Sequence, residues 1–377
     1  MECVSTVSFS ILVNGAKTKH FNPTRGIRQG DPLSPYLFIL CQDVLSRLIE
    51  RKFSNGALCG VKMNVNGPAF THVMYADDIM LFAKANCREI SQLDWCLEKY
   101  CLWSGQLINR EKSGIIFSKL VPRERRRDIK QLLHMKKVQP NAIYLGNPLF
   151  SSRSRSKDFR FLHDKLESRL VGWRSKVLSW AGCATMIKAV AAALPCYTFS
   201  TSDVPVSVCD KLDSTTRRFW WNPKKESGRY LAWKAWDELC KPKGSGGLGF
   251  RKAKKFNEAL MAKFTWMVAS GFNSPRISAL RSKYKVSVDW LRCEPQKYAS
   301  QTWRAIERLK PLICKGACYI VGNGQSIDCW RDPWVPWLHN FLPKPRSPQN
   351  LFEPYVSVQS VQPRIIELEY KYLEGFV

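Results

Sequence analysis

Positions 72–82 read His-Val-Met-Tyr-Ala-Asp-Asp-Ile-Met-Leu-Phe, an apolar strand pattern broken at its centre by two adjacent carboxylates. No other stretch constrains the fold as tightly. Successive side chains of a strand point to opposite faces, and a carboxylate withdrawn from water is costly unless something neutralises it. Asp77 and Asp78 can share one environment only where the chain bends. The flanks supply the bend. Residues 60–63 and 69–75 read as one hairpin, and residues 79–83 as the strand leaving a second tight turn at Asp77-Asp78. Such a tip suits a hard divalent cation, which takes oxygen ligands. The plain alternative is a solvated surface turn, but that would not need Met74 and residues 79–82 around it.

Bulk composition narrows the partners. The chain has 377 residues, 45% of them hydrophobic, enough for two or three domains with real cores. Its 59 Lys and Arg against 31 Asp and Glu give a formal charge of +28, which predicts strong attraction to polyanions. Nucleic acid is the first candidate and an anionic membrane surface the second. No apolar run approaches the roughly 18–20 residues of a spanning helix. Glu2 sits where a secretory leader would carry positive charge. The sequence is therefore expected to be intracellular, not secreted, with no membrane partner.

Basic charge peaks at Arg123, Arg125, Arg126 and Arg127, then Lys130, Lys136 and Lys137, then Arg153, Arg155, Lys157, Arg160 and Lys165. Aromatics follow at Trp173, Trp180, Phe219, Trp220, Trp221, Tyr230, Trp233 and Trp236. Basic and aromatic residues interleaved suit a nucleic-acid groove, where phosphate contacts and stacking cooperate. The alternative is a solvated helix face over core tryptophans. The 14 cysteines contain no Cys-x-x-Cys pair and read as reduced thiols packed as small hydrophobes. Cys314, Cys318, Cys329 and His339 could be assembled into a zinc site, although their spacing matches no compact finger.

Along the chain, residues 7–13 and 16–21 flank Asn14-Gly15 and read as a hairpin. A turn-rich loop from Thr24 to Leu33 then opens a helix, with Ser34 as its N-cap and Pro35 as its first residue. Ile90, Leu93, Leu97, Tyr100 and Cys101 mark a second amphipathic helix ending near Gly105. Asn109 to Lys112 leads into a strand at 114–118, and 144–149 is a second short strand and turn. Helical texture begins near 157, covering 159–171 and 177–194, with Pro195 as the stop. Residues 241–249 read as a loop.

Four boxes carry a family resemblance. Residues 25–38, Arg-Gly-Ile-Arg-Gln-Gly-Asp-Pro-Leu-Ser-Pro-Tyr-Leu-Phe, resemble the nucleotide- and template-facing motif of non-LTR (LINE-type) retrotransposon reverse transcriptases. The chemistry suits it: Gly26 and Gly30 allow close backbone approach, Gln29 can hydrogen-bond, and a helix N-terminus favours phosphate. Tyr75-Ala76-Asp77-Asp78 resembles the catalytic box. Asn109, Lys112 and Ser113 resemble the next motif, and 144–149 the strand that grips the primer end. Their order and spacing are similar to those of the plant LINE-type subgroup.

The resemblance implies an α+β fold: a partial palm over 1–150 with an antiparallel sheet and packed helices, a basic helical thumb-like region over 151–240, and a connection region over 241–377. It implies an RNA-directed DNA polymerase working on an RNA template and a DNA primer, with two Mg²⁺ or Mn²⁺ ions. Asp77 would be a direct metal ligand and Asp78 a supporting carboxylate. Arg28, Gln29, Gly30 and Lys112 would bind nucleotide and template, and Tyr144, Leu145 and Gly146 the primer end. A nuclear location follows from the same ancestry. The family places a third carboxylate on a strand before the first hairpin, where this sequence offers only Glu2. Catalytic incompetence of the chain alone is therefore expected. The alternatives are a non-catalytic nucleic-acid-binding remnant and a translated relic.

Overall fold

The computed structural model describes residues 6–24, 26–174, 178–224, 228–325, 327–338, 341–343 and 357–358. The chain divides into two units: Met1–Ser151 with Asn273–Lys285, and Ser152–Phe272 with Val286–Val377.

In the first unit, Asn14 (φ 50°) and Gly15 (φ 85°) turn the chain between β1 (Leu12–Val13) and β2 (Ala16–Lys17). Left-handed φ values at both central residues are what a two-residue hairpin demands. Phe9 and Phe21 extend the pair by two mutual 2.8 Å backbone bonds. Helix α1 (Ser34–Ser54) begins with Pro35 in its first turn. Ser34 is not its cap. Leu33 holds that position, while the Ser34 hydroxyl donates to the Arg28 carbonyl at 2.6 Å. The Asp31 carboxylate instead accepts from the Leu33 N–H at 2.8 Å. A serine hydroxyl bonds to nearby backbone carbonyls as readily as to N–H groups.

Strands β3 (Val61–Lys62) and β4 (Ala69–Phe70) form one hairpin, and β5 (His72–Tyr75) and β6 (Asp78–Leu81) the next. Helix α2 (Cys87–Ser104) is capped by Asn86, which accepts from the Glu89 N–H at 2.7 Å, and ends at left-handed Gly105. Leu45 and Ile49 of α1 meet Leu93, Cys96, Leu97 and Tyr100 of α2 in one core, with Met74, Ile79 and Leu81 laid against it. Beyond lie β7 (Gly114–Ile115), α3 (Arg123–Leu133), β8 (Lys136–Lys137), β9 (Ile143–Tyr144) and β10 (Asn147–Pro148). A later helix, Pro275–Lys283, returns to this unit, and Asn64 donates to its Ser282 carbonyl at 3.0 Å.

The expected single antiparallel sheet is replaced, among the described residues, by five separate two-stranded ladders, of which β7–β8 is parallel. Eight of these ten strands are two residues long, too short to recruit a third neighbour.

The second unit is helical: α4 (Arg160–Arg174), α5 (Trp180–Met186), α6 (Cys196–Thr201), α7 (Val206–Trp221), α8 (Ala253–Ala269), α9 (Gln301–Arg308) and α10 (Lys310–Gly316). The helix expected over 177–194 is not one rod: Val177 lies outside the described residues, and Ile187–Ala191 is a π-helical turn. Its main core runs from Phe159 through Leu170, Phe199 and Phe219 to Ala253, crossing position 240. Phe219, Trp220 and Trp236 are buried there, while Trp180 and Trp233 are exposed. Burial pushes the thiols of Cys209 and Cys240 up to about 12 and about 11, as for thiols serving as small hydrophobes.

Candidate functional site

The carboxylate tip is a two-residue turn between antiparallel strands, with Tyr75 facing Asp78, Met74 facing Ile79 and His72 facing Leu81. The turn residues are Ala76 and Asp77. Asp78 already belongs to the outgoing strand, one residue earlier than the sequence suggests. Strand alternation puts Met74, Ile79 and Leu81 against the core, while Tyr75, Asp77 and Asp78 are exposed. The apolar frame thus anchors the hairpin, and the carboxylates stand in water beyond it.

Ala76 pays for this geometry with φ 50°, a left-handed conformation costing an L-residue about 1–2 kcal/mol. Ala76→Gly is therefore expected to stabilise the first unit by roughly 0.5–1 kcal/mol, after allowing for the added freedom of the unfolded chain. Urea unfolding of the full chain checks this; a loss of stability would show that the turn relaxes.

His72, which the sequence treats only as part of the frame, braces the hairpin. Its Nε2 pairs with the Ser46 hydroxyl of α1 at 2.9 Å, and its Nδ1 with the Thr71 hydroxyl at 2.9 Å. Burial lowers its pKa, against the pull of Glu50, so the neutral ring is favoured. Sequence spacing gives no sign of this link, because Ser46 lies on a different element.

Ahead of α1, Gly26 and Gly30 both take φ 83°, which lets the loop fold back. Arg28 and Gln29 are exposed, and Arg28 and Asp31 line a cavity of about 110 Å³ with Val7, Phe9, Ile27 and Leu37. Arg25 lies outside the described residues. The Asn109 side chain accepts from the Lys112 N–H at 3.0 Å, leaving the Lys112 side chain exposed. Leu145 (φ 48°) and Gly146 (φ 76°) turn the chain between β9 and β10, with Tyr144 opposite Asn147. Lys112 and the 144–146 turn thus lie outside the hairpin that carries the carboxylates. What α1 brings together is the Arg28–Gln29–Gly30 loop at its start and, through Ser46, the base of that hairpin.

For the divalent metals that the resemblance implies, the oxygen chemistry is right but the donor set is short. Asp77 and Asp78 are two carboxylates on one tip. Among the described residues no group of three or more His, Cys, Asp or Glu side chains gathers to hold an ion. The described residues do not make a two-metal site. Of the zinc candidates, Cys314 is exposed, Cys318 half-buried and Cys329 buried, and His339 lies outside the described residues. No helix among the described residues is long and apolar enough to cross a membrane.

Residues 2–162, which contain all four boxes, match a family model described as reverse transcriptase (RNA-dependent DNA polymerase). Over these residues the chain belongs to the reverse transcriptase family. An Arabidopsis thaliana protein named for ribonuclease H is 36% identical over 193 residues, 50% of this chain and 31% of that protein. An uncharacterized mitochondrial protein of the same plant is 34% identical over 144 residues, 38% of this chain and 93% of that protein. A retrovirus-related Pol polyprotein from a type-2 retrotransposable element of Drosophila melanogaster is 28% identical over 154 residues, 41% of this chain and 13% of that protein. The chain therefore spans about a third of the ribonuclease H-named relative and nearly all of the mitochondrial one.

Proposed function

We propose that this chain is a reverse-transcriptase-derived protein of the LINE type that binds nucleic acid through its basic surface and does not extend a primer by itself. Its ancestor is an RNA-directed DNA polymerase using two-metal nucleotidyl transfer on an RNA template and DNA primer. Arg28, Gln29, Gly30 and Lys112 keep the nucleotide- and template-facing positions of that ancestor, and Tyr144, Leu145 and Gly146 the primer grip. The palm, thumb and connection assignments rest on the same descent, as do an intracellular, nuclear location and the absence of a membrane partner.

One observation carries the catalytic half of this reading. Asp77 and Asp78 offer ligands from one side only, on an exposed tip with no third carboxylate gathered among the described residues. Mg²⁺ or Mn²⁺ should bind there weakly, since few protein oxygens replace the ion's water. Purified chain, given a primer annealed to an RNA template with Mg²⁺ or Mn²⁺, is expected to give no extension. Template-dependent extension that Asp77→Asn abolishes would overturn the reading. Binding of the same hybrid should fall with salt, log K dropping by roughly 0.7–0.9 per phosphate contact for each decade of salt. Absent or salt-insensitive binding would remove the nucleic-acid half.

A second reading has an observation of its own. Leu33, Tyr36, Leu40 and Val44 fall on one face of α1 and its cap at 49%, 68%, 65% and 41% exposure. A contiguous exposed apolar face marks a surface that something covers. On this reading another segment or chain packs there and supplies the third carboxylate. Adding a polypeptide that carries an acidic palm strand should then restore extension, and its failure would discard the idea.

A further inference from the structure

We infer that the nucleic-acid backbone docks on one face of α3 in the first unit, not on the basic run that opens the second. This rests on the nucleic-acid-binding reading above and assigns the surface.

In the second unit, two cations of the basic run and three from later elements are already engaged. Arg155, Lys254 and Arg308 converge on Asp203, Lys254 at 3.0 Å and Arg308 at 2.9 Å. Arg160 reaches Asp164 at 3.9 Å, and Lys252 reaches Asp237 at 2.6 Å. The aromatics that would stack bases there are largely core: Phe219, Trp220 and Trp236 are at most 7% exposed. Pairing and burial thus remove part of what that region could offer a polyanion.

Helix α3 differs on both counts. At about 100° per residue, Arg123, Arg126, Arg127 and Lys130 fall within an arc of about 100°, while Glu124 and Asp128 sit about 100° and 140° round from Arg123. These four cations line one open basin of about 470 Å³. Among the described residues no ion pair engages Arg123, Arg127 or Lys130.

The face is held in place. Ile129, 1% exposed, is buried on a neighbouring side of the helix, about 110° round from the middle of that arc. Arg110 donates to Asp94 of α2 at 2.9 Å and to the Leu133 carbonyl at the end of α3 at 2.6 Å, tying the two helices together. Arg126 donates to the Ser118 and Lys119 carbonyls, fixing the loop before the helix. A helix already held in place loses less backbone freedom on binding than a mobile segment. From Arg123 to Lys130 the helix rises about 10 Å, the axial span of roughly three phosphates on one strand. Exposed Lys136 and Lys137 of β8 follow directly.

The test compares two triple variants of equal charge in the full chain, with thermal unfolding to show that both fold. One is Arg123→Gln, Arg127→Gln and Lys130→Gln. The other is Lys157→Gln, Lys165→Gln and Arg169→Gln, which removes three charges from the start of the second unit. Fluorescence anisotropy on a labelled RNA–DNA hybrid reads affinity across a salt series. The α3 variant is expected to lose roughly tenfold or more in affinity, with a salt slope shallower by about 2. The comparison variant should keep its slope within about half of one contact. Equal losses in the two variants would overturn the assignment while leaving nucleic-acid binding intact. Loss of anionic-vesicle binding with hybrid binding unchanged would overturn it in favour of a membrane surface. No binding by the unaltered chain would overturn both this inference and the function it rests on.

Discussion

Replacing Asp203 by alanine is expected to destabilise the second unit by about 1.5–3 kcal/mol, the scale of hydrogen bonds to a charged group. The side chain is 12% exposed and faces Lys254 at 3.0 Å, Arg308 at 2.9 Å and Arg155 at 3.9 Å. Without it three cations face one another. Burial by itself would raise the Asp203 pKa, but hydrogen bonds from Arg308 and Lys254 outweigh it, and the carboxyl is held below its usual range. The sign of the pH effect follows. A depressed folded pKa contributes stability that is complete above the unfolded value near 4 and is lost as pH falls through the folded value. The difference between unaltered chain and Asp203→Ala should be full at pH 7 and shrink below about pH 4. Urea unfolding at both pH values measures it, and a difference independent of pH would mean that packing, not charge, holds the corner.

Asn257→Ala is expected to cost about 3 kcal/mol in the same unit. Asn257 is fully buried on α8, where its Oδ1 accepts from the Val204 N–H at 3.0 Å and its Nδ2 donates to the Phe199 and Ser202 carbonyls at 2.9 and 2.8 Å. One amide side chain satisfies three backbone groups where α6 ends, and each group left bare in the interior costs about 1–3 kcal/mol. Asn257→Leu, which keeps the volume, should not rescue stability; if it does, the loss belongs to a cavity. Because both knots grip residues 199–204, the double variant with Asp203→Ala should lose less than the sum of the singles.

Much of the first unit was legible because its signals are local. Asn14-Gly15 dictated its turn, and an apolar period from Ile90 that stops near Gly105 marked α2. The carboxylate hairpin was legible too, but its turn lay one residue early, since alanine at φ 50° carries no turn signal and Asp-Asp does. Ser34 misled for a similar reason: a good cap residue was present, but its hydroxyl turns back to the Arg28 carbonyl and the helix start has no side-chain cap. Reading failed where partners are distant. The bonds converging on Asp203 span 48, 51 and 105 positions, beyond any periodicity. The π-helical turn at Ile187–Ala191 was hidden because an apolar period does not distinguish it from the helix it interrupts. Motif spacing named Lys112 and Tyr144, but not that Lys112 would sit in a turn and Tyr144 on a ladder separate from the carboxylates.

The helix Pro275–Lys283 has a consequence for how this protein is made. It closes over the 61–70 hairpin, where Ser282 accepts from Asn64 and a β-carbon at Gly67 would collide with the Ser282 hydroxyl. The first unit therefore cannot be finished when its main segment leaves the ribosome at residue 151. It waits for residue 285, 134 residues later (285 − 151), which at about 5–20 residues per second is roughly 7–27 s of synthesis. Throughout that interval the hairpin loop lacks its lid, so a nascent-chain protease or chaperone would meet it open, and a gene cut near position 151 would leave it open permanently.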